Sequence, residues 1–249
     1  MGFVLALQFL TRLPIASRGQ AAITDRQLAQ SMAYFPLVGV LLGLILAGVN
    51  WLAAMAFPPG LVAILLIGIL VLLTGSLHWD GWMDTADGLL SGQHGQRALE
   101  IMKDSRVGAQ AVIWGCLGML AEYILLVHLL TLPRFTVNAW LVASLAWSRW
   151  NAVIGVFLFP YARKTGGTAQ AFIAEISLKE VIMSTGIAIL VSVLVVGWKT
   201  VPLLVLNGIV TMSLGKVAEK RLGGVTGDIL GAMIIAGELI GLFIGGGRV

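Results

Sequence analysis

Residues 61–77, LVAILLIGILVLLTGSL, carry no charged side chain, and runs of similar character recur along the chain. Almost nothing else constrains the fold as strongly. A soluble domain has about 25% charged residues, whereas this chain of 249 residues has 11%, with 58% hydrophobic residues. Apolar runs near the ~20 residues needed to cross a bilayer core predict membrane-spanning helices. The pattern places them at 34–57, 61–77, 107–131, 136–160, 181–198, 200–216 and 229–246. The expected fold is therefore all-α: a polytopic bundle of about seven spans in one domain, 1–249. Two prolines at 58–59 break the first run from the second. The segment FVLALQFL at 3–10 is too short to span and is expected in the interface. Thirty-one glycines suit helices that pack closely in lipid.

Orientation follows from lysine and arginine. With the N-terminus in the cytoplasm, twelve of these residues fall on the inner side: Arg12, Arg18, Arg26, Arg97, Lys103, Arg106, Arg163, Lys164, Lys179, Lys216, Lys220 and Arg221. Only three, Arg134, Lys199 and Arg248, fall outside, and Arg149 lies within a span. This is the positive-inside signature. The N-terminus lacks basic residues before its apolar run and so does not read as a signal peptide. The one cysteine, Cys116, sits in an apolar run and has no intramolecular disulfide partner. No basic stripe interleaved with aromatics points to nucleic acid. Self-association is compatible with the sequence, which sets no oligomeric state.

The acids gather at one expected membrane face. In HWDGWMDTADG, 78–88, Asp80, Asp84 and Asp87 have helical offsets 0, 4 and 7 and project from one face. Three like charges so close are tolerable when a cation neutralises them, and an all-oxygen donor set favours a hard ion such as magnesium, manganese or calcium. A solvated helix end is the plainer alternative. Gly88 would leave room for a substrate. In LEIMKDSRVGAQA, 99–111, Asp104 is a candidate fourth ligand or base, and Lys103 and Arg106 are candidate phosphate contacts. Arg149, inside an apolar span, needs a partner or a polar cavity, and is expected to help hold a substrate's pyrophosphate. In KRLGGVTGDILGA, 220–232, Gly224, Thr226, Gly227 and Asp228 form a turn that can offer backbone N–H groups to an anion; Asp228 can equally cap the helix. Glu122 and Glu238 lie within spans, and His78 reads as an interfacial or supporting group. The acids crowd towards one face instead of the bilayer midplane, which favours an enzyme over an ion or solute transporter.

Four stretches together resemble the cobalamin synthase (adenosylcobinamide-GDP ribazoletransferase) family: QFLTRLP near the N-terminus, HWDGWMDTADG, LEIMKDSRVG and GGVTGDILGA. They occur in order along essentially the whole chain. The resemblance implies an enzyme of the bacterial or archaeal cytoplasmic membrane, in contact with membrane lipid. It would join adenosylcobinamide-GDP to α-ribazole or its 5'-phosphate, release GMP, and require one or two Mg²⁺. It implies metal binding at Asp84 and Asp87, with Asp80 and Asp104 as further ligands or catalytic groups. Asp84-x-x-Asp87-Gly88 also resembles the start of the CDP-alcohol phosphotransferase motif. Leu89 and Leu90 stand where that motif continues with Ala-Arg, and Gly108 stands where its later aspartate pair would end. These departures argue against a phospholipid-forming transferase.

Overall fold

The computed structural model describes residues 1–15, 23–163, 172 and 175–247. Arg18, Lys164 and Arg248 lie outside them. The described residues are helical, with one isolated bridge between Tyr161 and Val225 and no strand. The helices are α1 (Gly2–Leu10), α2 (Asp25–Ser31), α3 (Phe35–Ala53), α4 (Pro59–Thr74), α5 (Leu77–Leu90), α6 (Gly95–Ile101), α7 (Ala109–Leu129), α8 (Arg134–Leu158), α9 (Leu178–Val196), α10 (Thr200–Leu222) and α11 (Gly227–Gly246).

Among the described residues five helical stretches are long and apolar enough to cross a membrane, and six if the bent pair α4–α5 is one crossing. One of the five, Leu178–Leu222, is a continuous run of 45 residues. A straight helix of that length would measure about 68 Å, more than twice a ~30 Å hydrocarbon core. It is not straight. Trp147 and Trp150 of α8 donate to Ser192 and Thr185, so α9 descends as α8 ascends. Asn151 pairs with Asn207, and Phe159 lies against Gly215, so α10 runs back alongside α8 in the same direction. The reversal falls at Gly197, with φ of 62°.

The offsets of Asp80, Asp84 and Asp87 presuppose a helix over 78–90, and the structure has one, set off from the second span by a sharp turn. α4 stops at Gly75, and α5 restarts at an angle of 89°. Gly75 and Ser76 take the left-handed conformation in succession, with φ of 63° and 61°. Glycine adopts it freely and serine at a cost, so the first residue permits the turn and its surroundings hold the second. Arg12 lies directly over Gly75, and its backbone N–H donates to Leu73 O at 2.7 Å. The N-terminal segment thus braces the kink. α1 is not left at the interface alone: Leu5, Ala6, Leu7 and Leu10 are buried.

α8 is the central post, with seventeen of its 25 residues buried. Two glycine seams grip it. Gly39 and Gly43 of α3 meet the backbone at Leu145 and Val142, and Gly237, Gly241 and Gly245 of α11 meet Ser148, Ser144 and Trp140. Between lipid-facing helices the hydrophobic effect gives little net attraction, so backbone proximity and dispersion contacts supply the cohesion. A side chain at these positions would keep the helices apart. The same registers set the polarity of the bundle: the N-termini of α7 and α11 and the C-termini of α5 and α8 share one end.

Candidate active site

That shared end holds the acids. α5 rests on α11 where Gly81 admits the backbone of Asp228; a Cβ on Gly81 would stand 2.7 Å from Asp228 O. The contact places the α5 acids beside the start of α11. Asp84 is half-buried, and the charges of Asp80, Asp228 and Asp87 all act on it. Inside this group the one opposing charge acting on Asp84 is Arg163, whose guanidinium bonds the Asp228 carboxylate at 2.7 Å. Four carboxylates against one guanidinium leave an excess of negative charge, which suits a hard cation in chemistry. The geometry is looser: no three acidic, histidine or cysteine groups among the described residues converge tightly enough to hold an ion.

Asp87 has a second task. Its two carboxylate oxygens accept the backbone N–H groups of Gly108 (2.7 Å) and Ala111 (2.8 Å), at the start of α7. A carboxylate supplied by another helix thus satisfies two of the unpaired N–H groups that every helix N-terminus carries, and opposes the positive end of its dipole. The segment before α7 is held in place by this contact. It forms the far wall of a cleft lined by Asp80, Asp84 and Asp87 on one side and Lys103, Asp104 and Arg106 on the other. Asp104 faces that cleft but is engaged by its own neighbour. Arg106 donates to it through the guanidinium (2.7 Å) and the backbone N–H (3.0 Å). These hydrogen bonds hold the Asp104 carboxyl down at about 2, which makes it a weak proton acceptor.

The profile of the cobalamin-5-phosphate synthase family matches residues 2–245. The chain belongs to that family.

The curated relatives agree. The chain is 36% identical over 241 residues to an adenosylcobinamide-GDP ribazoletransferase of Desulfitobacterium hafniense, covering 95% of this chain and 92% of that one. It is 39% identical over 250 residues to the protein of that name in Desulforamulus reducens, covering 95% and 91%. It is 36% identical over 240 residues to its Escherichia coli counterpart, covering 96% of each. No solved structure matches the chain. The resemblance carried by the four motifs is borne out.

In this member of the cobalamin-5-phosphate synthase family the remaining candidates divide. Arg149 does not reach the cleft. Its side chain is fully buried and is paired with Glu238 of α11 and with Ser148 Oγ (2.8 Å). The anion that an intramembrane arginine needs is thus supplied from within the bundle. The 224–228 turn reaches the site, but not as an open cradle. Gly224 is pressed against Pro160 O, and Val225 bonds Pro160 O and Ala162 N–H at 2.8 and 3.0 Å. Thr226 caps α11 by accepting from Ile229 N–H at 3.3 Å and donates to Asp228 at 3.1 Å. Gly227 and Asp228 border a second, apolar chamber, which Asp80 also lines. Gly88 serves packing: a Cβ there would collide with Met102.

The sequence reading counted Arg163 only as an inner positive charge. The structure makes it the partner of Asp228, and no local signal links residues 65 positions apart. His78 is buried at 3% exposure, level with Gly231.

Proposed function

We propose that this chain is an adenosylcobinamide-GDP ribazoletransferase: it transfers the phosphorylated cobinamide group to α-ribazole or its 5'-phosphate and releases GMP, late in cobalamin biosynthesis. The observation that carries the reading is the set of carboxylates Asp80, Asp84 and Asp87 facing Lys103 and Arg106 across one cleft, with the charge of Asp228 acting on Asp84 from beside it. Membership of a family whose relatives bear that name supports it.

The residues suit phosphoryl transfer, in which positioning and charge neutralisation do most of the work. One or two of the cluster carboxylates, Asp84 and Asp80 foremost, would hold Mg²⁺ together with substrate phosphate oxygens and water, and the ion would supply charge neutralisation on the phosphates. Lys103 on the opposite wall would hold pyrophosphate oxygens, joined by the guanidinium nitrogen of Arg106 that Asp104 leaves free. A ribose hydroxyl of the ribazole, other than the 5'-oxygen that the 5'-phosphate form has already esterified, attacks the corrin-side phosphorus, and GMP departs with the bridging oxygen. The hydroxyl proton passes to a carboxylate of the cluster. Asp80, exposed at the cleft mouth, is better suited to this than Asp104, which Arg106 has already engaged. Arg163 holds Asp228 beside them.

The helices and the lysine and arginine distribution support seven passes in a bacterial cytoplasmic membrane, with the acid cleft on the cytoplasmic side. Purified protein in detergent, given adenosylcobinamide-GDP, α-ribazole and Mg²⁺, should release GMP and form the cobalamin product. GMP release that does not depend on ribazole, or none at all, would refute the assignment.

A further inference from the structure

Beneath the acid cleft lies a small chamber that the reaction as described does not use. Its walls come from α1, the start of α3, α5, α8 and α11. Three phenylalanines face one another there: Phe9 and Phe35 stack with centroids 6.0 Å apart, and Phe172 meets Phe9 edge-on at 4.7 Å. Ala152, Leu230 and Ile234 continue the apolar lining. The polar lining is sparse: His78, and Asp80 and Asp228 at the border with the acid site. His78 is almost fully enclosed, and its Nε2 has no hydrogen-bond partner. A buried polar atom without a partner costs about 1–3 kcal/mol, so Nε2 calls for a water or a ligand group to bond it.

We propose that this chamber receives the benzimidazole base of the ribazole acceptor, with His78 Nε2–H donating to the base's free ring nitrogen. The inference rests on the transferase reading above, and three observations select this occupant. The chamber is lined by aromatic rings and joined to the catalytic end through Asp80, which lines both spaces. A base seated among the phenylalanines would direct its ribose towards the carboxylates. A benzimidazole riboside presents one acceptor nitrogen and no ring donor, and the chamber offers one buried partner. Guanine carries several donors and acceptors, which these walls would leave unsatisfied. A corrin macrocycle is several times larger than a bicyclic base.

The test measures binding of α-ribazole and, separately, of GMP to purified protein by calorimetry. The variants are His78→Leu, His78→Gln and Ala152→Leu. His78→Leu should weaken α-ribazole about tenfold, the value of one good neutral hydrogen bond. His78→Gln should restore most of that loss. Ala152→Leu, which fills the chamber from α8, should weaken it at least as much. GMP affinity should stay at the wild-type value throughout. Unchanged α-ribazole affinity in both His78→Leu and Ala152→Leu would overturn the proposal, as would parallel losses for GMP. If the wild type turns over α-ribazole while these variants bind it normally, the chamber assignment falls and the transferase reading stands. If the wild type neither binds nor turns over α-ribazole, both fall.

Discussion

Asp84 and Asp87 look equivalent in the sequence, and the structure predicts that they fail differently. Asp87→Ala removes two charge-assisted bonds at 2.7 and 2.8 Å from the start of α7. Bonds of this kind are worth about 1.5–3 kcal/mol each when buried. Asp87 is only half-buried and water can replace part of the loss, so roughly 2–4 kcal/mol of local stability should disappear. At 1.4 kcal/mol per factor of ten, amide exchange at Gly108–Val112 should quicken about 30- to 700-fold. Asp87→Asn keeps one acceptor oxygen and should fall between. Asp84→Asn removes a charge repelled by Asp80, Asp228 and Asp87, so exchange in the same segment should stay at the wild-type rate. All three variants should lose turnover. Hydrogen–deuterium exchange in detergent micelles reads the difference directly. Equal protection of Gly108–Val112 in Asp87→Ala and the wild type would refute the capping argument.

Other outcomes follow from the same contacts. Glu238→Leu strands the buried Arg149 guanidinium and should cost about 3–5 kcal/mol, while the double variant with Arg149→Met should recover much of it; thermal unfolding in detergent compares them. Arg163→Ala should cut GMP release sharply by freeing Asp228, and Arg163→Lys should retain part of it, in steady-state kinetics on both substrates. Asp104→Asn should leave the acid limb of the pH–rate profile in place, since a carboxyl held near 2 by Arg106 is already ionised there; loss of that limb would return Asp104 to the role of base. Gly39→Leu should drive α3 away from Leu145 of α8 and lower the yield of folded protein on size-exclusion chromatography.

Much of this was legible in the sequence because lipid imposes a one-dimensional rule: apolar length reports a helix. The acids on α5 share a face because helical periodicity is local. The right-angled kink at Gly75–Ser76 was not legible, since the apolar run passes through it without a break in composition. Arg149 was readable as a residue needing an anion. That the anion is Glu238, 89 positions away, depends on how α8 and α11 pack. The pairing of Arg163 with Asp228 and the phenylalanine chamber are likewise products of tertiary contact, and no spacing rule reaches them.

The central claim is that the α5 carboxylates carry the transfer. A single-turnover measurement of GMP release from adenosylcobinamide-GDP, with excess α-ribazole and Mg²⁺, tests it most directly when wild type and Asp84→Asn are compared. The account predicts stoichiometric GMP from the wild type. It predicts release at least a thousandfold slower from Asp84→Asn, about 4 kcal/mol in the barrier, with unchanged exchange protection at the start of α7. GMP release by Asp84→Asn within a few fold of the wild-type rate would contradict it.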